Sequence, residues 1–201
     1  IPSVNTNDHE LITRSLAEPA AFADLFDLHA ATVHRYAASR TDRQTADDLL
    51  SETFLVAFEK RGNFDAERGA VRAWLLGITT TLIRKHRRTE ARAYAGLAAD
   101  KASRILSADA YQEADARLDA AASVRDLARA LAKLAPGDRD VVLLYAWEEL
   151  SYQDIALALD IPLGTVRSRL NRARTKLGAN MNFTEDFNAK ETGHGFAGTT
   201  A

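Results

Sequence analysis

Cysteine is absent from the sequence, and proline, glycine and methionine are scarce, with four, ten and one residues out of 201. The lack of cysteine excludes disulfide bonds and thiolate metal sites, and it suits a reducing compartment. No apolar run approaches the roughly 18 residues of a membrane-spanning helix, and no secretory signal is visible. We therefore expect a cytoplasmic protein without membrane insertion.

Motifs of catalysis and cofactor binding are lacking as well. The sequence has no glycine-rich phosphate loop and no nucleophile motif. Its histidines, which show no metal-ligand spacing, are His9, His29, His34, His86 and His194. We therefore expect no enzymatic activity, no metal and no cofactor.

The net charge of −2 hides a strong segregation of charge. Basic residues concentrate at positions 84–88 and 167–176, whereas acidic residues collect at positions 42–52 and 100–119. A chain with this distribution can bind nucleic acid with one surface and a basic protein with another.

Alternating β-branched residues, which are typical of strands, are almost absent. The sequence therefore predicts an all-α fold, with two small helical domains joined by a flexible linker and a helix-turn-helix in the second domain. The expected segments are a loose N-terminus (1–18), a first domain (19–92), a linker (93–122), a second domain (123–178) and a disordered tail (179–201). The helices predicted before the helix-turn-helix span residues 20–40, 46–61, 71–92, 124–134 and 138–147.

Residues 150–177 (LSYQDIALALDIPLGTVRSRLNRARTKL) predict a short helix, a tight turn and a second, arginine-rich helix. Ser151 suits an N-cap, with Asp154 at the positive end of the first helix. Pro162 and Gly164 precede Thr165, which we expect to cap the second helix. The apolar stripe of that helix consists of Val166, Leu170, Ala173 and Leu177.

The opposite face of the second helix is predicted to bind DNA. Positions 167–176 hold five cations and no acid. The outward residues mix arginine with the polar side chains that read base edges and phosphates; they are Thr165, Arg167, Ser168, Asn171, Arg172 and Arg174. A basic amphipathic helix that is merely solvated is the alternative interpretation.

The sequence of the predicted helix at residues 71–92 indicates a second surface that binds nucleic acid. Trp74, Leu75, Ile78 and Leu82 recur at helical spacing and are expected in the core. Three consecutive threonines, 79–81, are unusual in a helix, and their hydroxyls either contact nucleic acid or fill the surface. A basic cluster at the end of this helix is expected to neutralise phosphates along single-stranded DNA. It comprises Arg84, Lys85, Arg87 and Arg88.

Three segments together resemble the extracytoplasmic-function (ECF) class of bacterial sigma-70 factors. Residues 47–60 (DDLLSETFLVAFEK) are similar to the family's polymerase-binding helix. Residues 64–88, with the Arg-Ala-Trp-Leu sequence at 72–75, resemble its −10 recognition segment. Residues 150–177 match its −35 helix-turn-helix, above all at 161–170.

The resemblance implies a sigma factor whose partners are promoter DNA and core RNA polymerase, through the clamp helices of its largest subunit and its flap. The residues implied in polymerase binding are Asp48, Leu49, Glu52, Thr53 and Phe54. Those near the −10 element are Thr80, Thr81, Arg84 and Lys85, to which Arg87 and Arg88 add charge. The outward residues of the recognition helix would face the −35 element.

Two positions depart from the family pattern: Thr81 stands where asparagine is usual, and Asp160 stands where glycine is common. Aspartate tolerates a left-handed backbone better than most residues, so the turn is expected to form. Many family members are inhibited by anti-sigma proteins, which makes such a protein a further implied partner. The alternative function is a free-standing helix-turn-helix regulator with an N-terminal sensor or dimerisation domain.

Overall fold

The computed structural model describes residues 4–65, 69–100 and 127–178. These residues contain no β-strand, and the expected all-α class is confirmed. The long helices are α1 (Val4–Ala17), α2 (Phe22–Ala38), α3 (Arg43–Lys60), α4 (Val71–Asp100), α5 (Pro136–Ala146), α6 (Tyr152–Leu159) and α7 (Leu163–Gly178). Residues 127–132 are also helical.

Helices α1–α4 form an N-terminal unit around one apolar core, because each places an apolar face inward. Its buried residues are Leu11, Ile12, Phe22, Leu25, Val33, Phe54, Ala57, Val71 and Leu75. Helix α3 begins at Arg43, three residues before the predicted start, because Asp42 caps it by accepting a 3.0 Å hydrogen bond from the Thr45 amide. The hydrogen bonds from the Thr45 hydroxyl and amide hold the pKa of Asp42 below its usual value.

The expectation of a loose segment at residues 1–18 was wrong, because residues 4–17 form helix α1. Leu11 and Ile12 are buried against the core. Asp8 and His29, both buried, are joined by a 2.9 Å contact between Asp8 Oδ2 and His29 Nε2. Helix α1 is thus attached to α2 by both apolar and polar contacts.

Helices α5–α7 form a C-terminal unit that contains the helix-turn-helix. As predicted, the Ser151 hydroxyl caps α6 by accepting a hydrogen bond from the Asp154 amide at 3.1 Å. Asp160 takes the expected left-handed conformation, with φ 50° and ψ 53°. The expected threonine cap was wrong, because α7 begins at Leu163 and the Thr165 amide already donates to the Pro162 carbonyl.

Replacing Ser151 by alanine is expected to lower the free energy of unfolding by about 1 kcal/mol, since one amide at the start of α6 loses its acceptor. Urea denaturation followed by circular dichroism would measure this change. Ser168→Ala is the matched control, because Ser168 lies inside α7 and its hydroxyl donates only to the Thr165 carbonyl. Equal effects of the two substitutions would contradict the capping role.

The two units are packed against each other. Helix α4 of the first unit lies against α6 of the second, and their buried residues belong to one continuous apolar cluster that includes Leu76, Ile83, Val141 and Ile155. Helix α4 also continues eight residues beyond the predicted end at 92. The predicted flexible linker beyond residue 100 and the predicted disordered tail lie outside the described residues.

Candidate nucleic-acid and protein interfaces

The recognition helix α7 separates its two faces as the sequence predicts. Val166, Leu170, Ala173 and Leu177 are buried, and they pack α7 against α5 and α6. Of the six predicted DNA-facing residues, Arg167, Ser168, Asn171 and Arg172 are exposed, while Thr165 and Arg174 are half-buried. The exposed set combines two guanidinium groups with a hydroxyl and an amide, which together can contact phosphates and base edges.

Arg172 has a fixed direction because Asp138, at the start of α5, holds its guanidinium. The Arg172 Nη2–Asp138 Oδ1 distance is 2.8 Å and the Nε–Oδ2 distance is 3.3 Å. Hydrogen bonding with Asp138, followed by the attraction of its charge, raises the pKa of Arg172. The Asp138 carboxylate is buried while the arginine is exposed, so the guanidinium is oriented at the surface of the recognition helix.

The basic end of α4 forms a shallow depression of about 340 Å³. Its lining consists of Thr81, Arg84, Lys85, Arg88, Thr89 and Arg92. Four of the predicted −10 residues therefore share one surface. Four cations around two hydroxyl groups suit a phosphate backbone, which is attracted by the charge and can accept hydrogen bonds.

Thr80 is not on this surface, because its side chain is fully buried. Its hydroxyl contacts the Tyr36 hydroxyl at 2.8 Å and donates to the Leu76 carbonyl at 2.7 Å. Burial raises the pKa of Tyr36, which also receives a hydrogen bond from Arg40. Thr80 is therefore part of an internal polar network, and Thr81 is the exposed hydroxyl of the threonine run.

Three cations of α4, two of which line the basic depression, are engaged within the protein. The Arg84 Nε donates to Asp140 of α5 at 2.7 Å, and Arg87 donates to the Arg40 carbonyl at 2.9 Å. Lys85 forms an exposed ion pair of 3.1 Å with Glu52 of α3. Exposed pairs of this kind contribute little stability, so Lys85 is readily available to an incoming phosphate.

The predicted polymerase-binding residues of α3 divide between the core and the surface. Leu49, Thr53 and Phe54 are buried, so their side chains support the surface from within. Asp48 is exposed and Glu52 is half-buried. Positions 48, 52 and 55 lie on one face of the helix. Leu55, which is 58% exposed, therefore belongs to the same surface as Asp48 and Glu52.

Leu55 and two buried carboxylates were missed by sequence reasoning. Asp140 and Glu148 are completely buried. Each of them borders an apolar stretch of the sequence. An acid beside a run such as Val141–Leu144 signals a buried ion pair, since a carboxylate is rarely buried without a partner. Nothing local to these positions indicates that the partners lie in the other unit.

Comparison with protein families gives two matches in chain order. Residues 25–93 match the profile described as Sigma-70 region 2, and residues 125–177 match Sigma-70, region 4. The first match contains the α3 face and the basic depression of α4. The second contains the helix-turn-helix.

Similar proteins agree with these matches. The chain is 34% identical over 169 residues to the ECF RNA polymerase sigma factor SigE of Mycolicibacterium smegmatis, which covers 82% of this chain and 63% of SigE. It is 33% identical to the ECF RNA polymerase sigma factor SigM of Mycobacterium tuberculosis, over 85% of this chain and 83% of SigM. Among solved structures, CnrH in complex with the cytosolic domain of CnrY superposes with a TM-score of 0.62 at 25% identity, covering 89% of this chain and 99% of CnrH.

Proposed function

Because the chain belongs to the ECF class of the sigma-70 family of RNA polymerase sigma factors, we propose that it binds core RNA polymerase and directs it to promoters in the bacterial cytoplasm. The observation that carries the proposal is the pair of DNA-competent surfaces, one in each matched region. In α7 the exposed arginine, serine and asparagine side chains would read the −35 element. In α4 the basic depression would hold the −10 element as its strands separate. The protein itself catalyses no reaction in this proposal.

The proposed polymerase-binding surface is the exposed face of α3, around Asp48, Glu52 and Leu55. Two acids beside an exposed leucine suit a basic partner surface with an apolar centre, because charge guides association while burial of apolar area stabilises the complex. The deeper residues Leu49, Thr53 and Phe54 would hold this face in shape.

Retention by purified core RNA polymerase tests the proposal directly. Immobilised core enzyme should retain the chain, and the reconstituted complex should start transcripts at promoters that core enzyme alone does not use. Sequencing the transcripts made with and without the chain would identify those promoters. A chain that binds duplex DNA but is not retained by polymerase would instead be a free-standing regulator.

An anti-sigma protein is the proposed inhibitory partner. CnrH, one of the solved structures that resemble this chain, was obtained in complex with the cytosolic domain of CnrY. A partner of that kind would compete with polymerase and promoter DNA for the surfaces of the two units.

Replacing Arg172 by alanine is expected to weaken promoter binding of the polymerase complex roughly tenfold and to reduce discrimination among −35 variants, because a guanidinium held in a fixed direction can pair with two acceptors of one base. Binding assays with wild-type and altered −35 sequences would measure both effects. Lys176→Ala serves as the control for loss of one positive charge on α7. If the Arg172 variant weakens binding to all −35 sequences equally, its contact is with phosphate alone.

A further inference from the structure

An apolar groove of about 350 Å³ lies on the C-terminal unit, at the end of the recognition helix. Leu127 and Leu131 of the helix at 127–132 line it, together with Leu177 in the last turn of α7. The end of α5 and the residue after it contribute Val142, Leu143, Ala146 and Trp147. Clefts of about 300–1,000 Å³ are the usual size of ligand-binding sites, so the groove has room for bulky side chains.

Trp147 stands at the surface of this groove, with 52% of its area exposed. The next residue holds it there, because the fully buried Glu148 is bound to the N-terminal unit through a 2.6 Å contact between its Oε2 and Arg72 Nη2. Glu149 then takes a left-handed backbone, with φ 53°. The indole is therefore kept at the groove. An exposed apolar surface of this kind marks an interaction site.

The sequence continues from this groove directly into an apolar segment. Residues 179–187 (ANMNFTEDF), which we call the tail segment, contain Met181, Phe183 and Phe187. A phenylalanine can bury about 150–250 Å² of surface, and methionine adapts to irregular apolar surfaces. Phe183 lies six positions after Leu177, and a chain of that length spans at most about 20 Å. The tail segment can therefore reach the groove that Leu177 lines.

The tail segment suits the groove better than the residues that enter it from the other side. The nine positions before Leu127 hold two bulky apolar residues, Leu118 and Val124, and no aromatic ring. The nine positions after Gly178 hold two phenylalanines and the single methionine of the sequence. Large aromatic side chains contribute most to apolar contacts of this size.

Charge also favours the tail segment. Glu185 and Asp186 lie between its two phenylalanines. Lys176, beside Leu177, is exposed, and so is Lys133 after the helix at 127–132. Opposite charges on the two sides would favour the approach of the segment to the groove.

We propose that residues 181–187 dock in the groove of their own C-terminal unit, with Phe183 and Phe187 packed against Leu131 and Trp147. The inference concerns the chain alone and is independent of the proposed function. A short tether gives an effective concentration in the millimolar range. A contact with an intrinsic Kd of about 0.1 mM would then be formed in about nine of ten molecules.

The test uses the full-length chain with both phenylalanines of the tail segment replaced, Phe183→Ser and Phe187→Ser, which we call the double variant. Phe196→Ser is the matched control, because it makes the same chemical change farther along the chain and outside residues 181–187. All three positions lie outside the described helices. Circular dichroism should therefore be the same for the parental chain and both variants.

The exposure of Trp147 is the first measurement. Fluorotryptophan labels the two tryptophans of the sequence, and Trp147→Phe assigns their fluorine NMR signals. A soluble nitroxide should broaden the Trp147 signal about twofold more, or beyond, in the double variant than in the parental chain or in Phe196→Ser, because the covered fraction falls from about nine in ten to near zero. Trp74, which packs against Phe64 at a ring distance of 5.0 Å, is the internal reference.

A synthetic, fluorescent peptide of residues 179–190 gives the second measurement. It should bind the double variant with a Kd of about 0.1 mM and the parental chain about tenfold more weakly, since the parental groove is already occupied. Adding Ala146→Gln to the double variant should abolish peptide binding, because this exposed alanine lines the groove. Ala132→Gln is the control, since Ala132 is exposed but does not line the groove.

Three results would overturn the inference. The first is equal broadening of Trp147 in the parental chain and the double variant. The second is binding of a peptide of residues 105–124 in place of the tail peptide, which would make the preceding segment the occupant. The third is protection of Trp147 that is lost when the parental chain is diluted, which would make a second copy the occupant. Failure to bind core polymerase would refute only the proposed function.

Discussion

A Leu55→Asp variant is expected to lose most of its retention by core RNA polymerase, with an affinity reduced by about 30-fold or more. Leu55 is the large apolar side chain on the exposed face of α3, beside Asp48 and Glu52. A few residues near the centre of a protein interface carry most of the binding energy, each contributing about 2 kcal/mol or more. A new carboxylate there would remove the apolar contact and place a charge in a desolvated position.

The Leu55→Asp experiment has a control in the same unit. Leu16 of α1 is exposed to a similar degree, at 53%, and Leu16→Asp makes the same chemical change away from the α3 face. Both variants should melt within a few degrees of the parental chain, since neither side chain is buried. If both variants, or neither, lose polymerase retention, Leu55 is not the centre of the binding surface.

A Phe54→Ala variant, in contrast, is expected to lower the free energy of unfolding by about 3–5 kcal/mol. Phe54 is only 6% exposed and lies among other aromatic rings. Its ring centroid is 4.8 Å from that of Phe26 and 6.4 Å from that of Phe22. Removing the ring leaves a cavity between α2 and α3 and breaks both edge contacts.

Chemical denaturation would measure the effect of Phe54→Ala, with the adjacent Leu55→Ala as the control. Leu55→Ala should change stability by less than about 0.5 kcal/mol, because it removes little buried area. Polymerase retention of Phe54→Ala is then interpreted at a temperature where the variant is folded. A variant that is as stable as the parental chain but is not retained would show that Phe54 contacts polymerase directly.

The contrast between Leu55 and Phe54 shows what could be predicted from the sequence. Helices α2, α3 and α4 could be predicted from the spacing of their apolar residues. The helix-turn-helix could be predicted from apolar spacing together with its cap residue, because both signals act over a few positions. The side that each residue of α3 faces was harder to predict. A family motif identifies positions that matter, but it does not distinguish a contact residue from one that supports the contact, as with Thr53 and Phe54.

Two other features were beyond local reasoning for different reasons. Helix α1 has only a narrow apolar stripe, and its stability depends on Leu11, Ile12 and the Asp8–His29 contact, whose partners lie elsewhere in the chain. Arg84 and Asp140 are 56 residues apart. Their pairing results from the packing of α4 against the C-terminal unit, which no periodicity within either segment encodes.

Helix α4 extends as one uninterrupted helix from Val71 to Asp100, which makes it about 45 Å long at the usual rise per residue. Its first turns lie in the core, and the helix continues for eight residues beyond Arg92, the last residue that lines the basic depression. Because the helix is continuous, the number of its residues determines the direction in which the backbone leaves its C-terminal end. One residue inserted after Arg92 would rotate the end of the helix by about 100°, whereas four residues would leave it only about 40° from its original direction and about 6 Å farther along the helix axis.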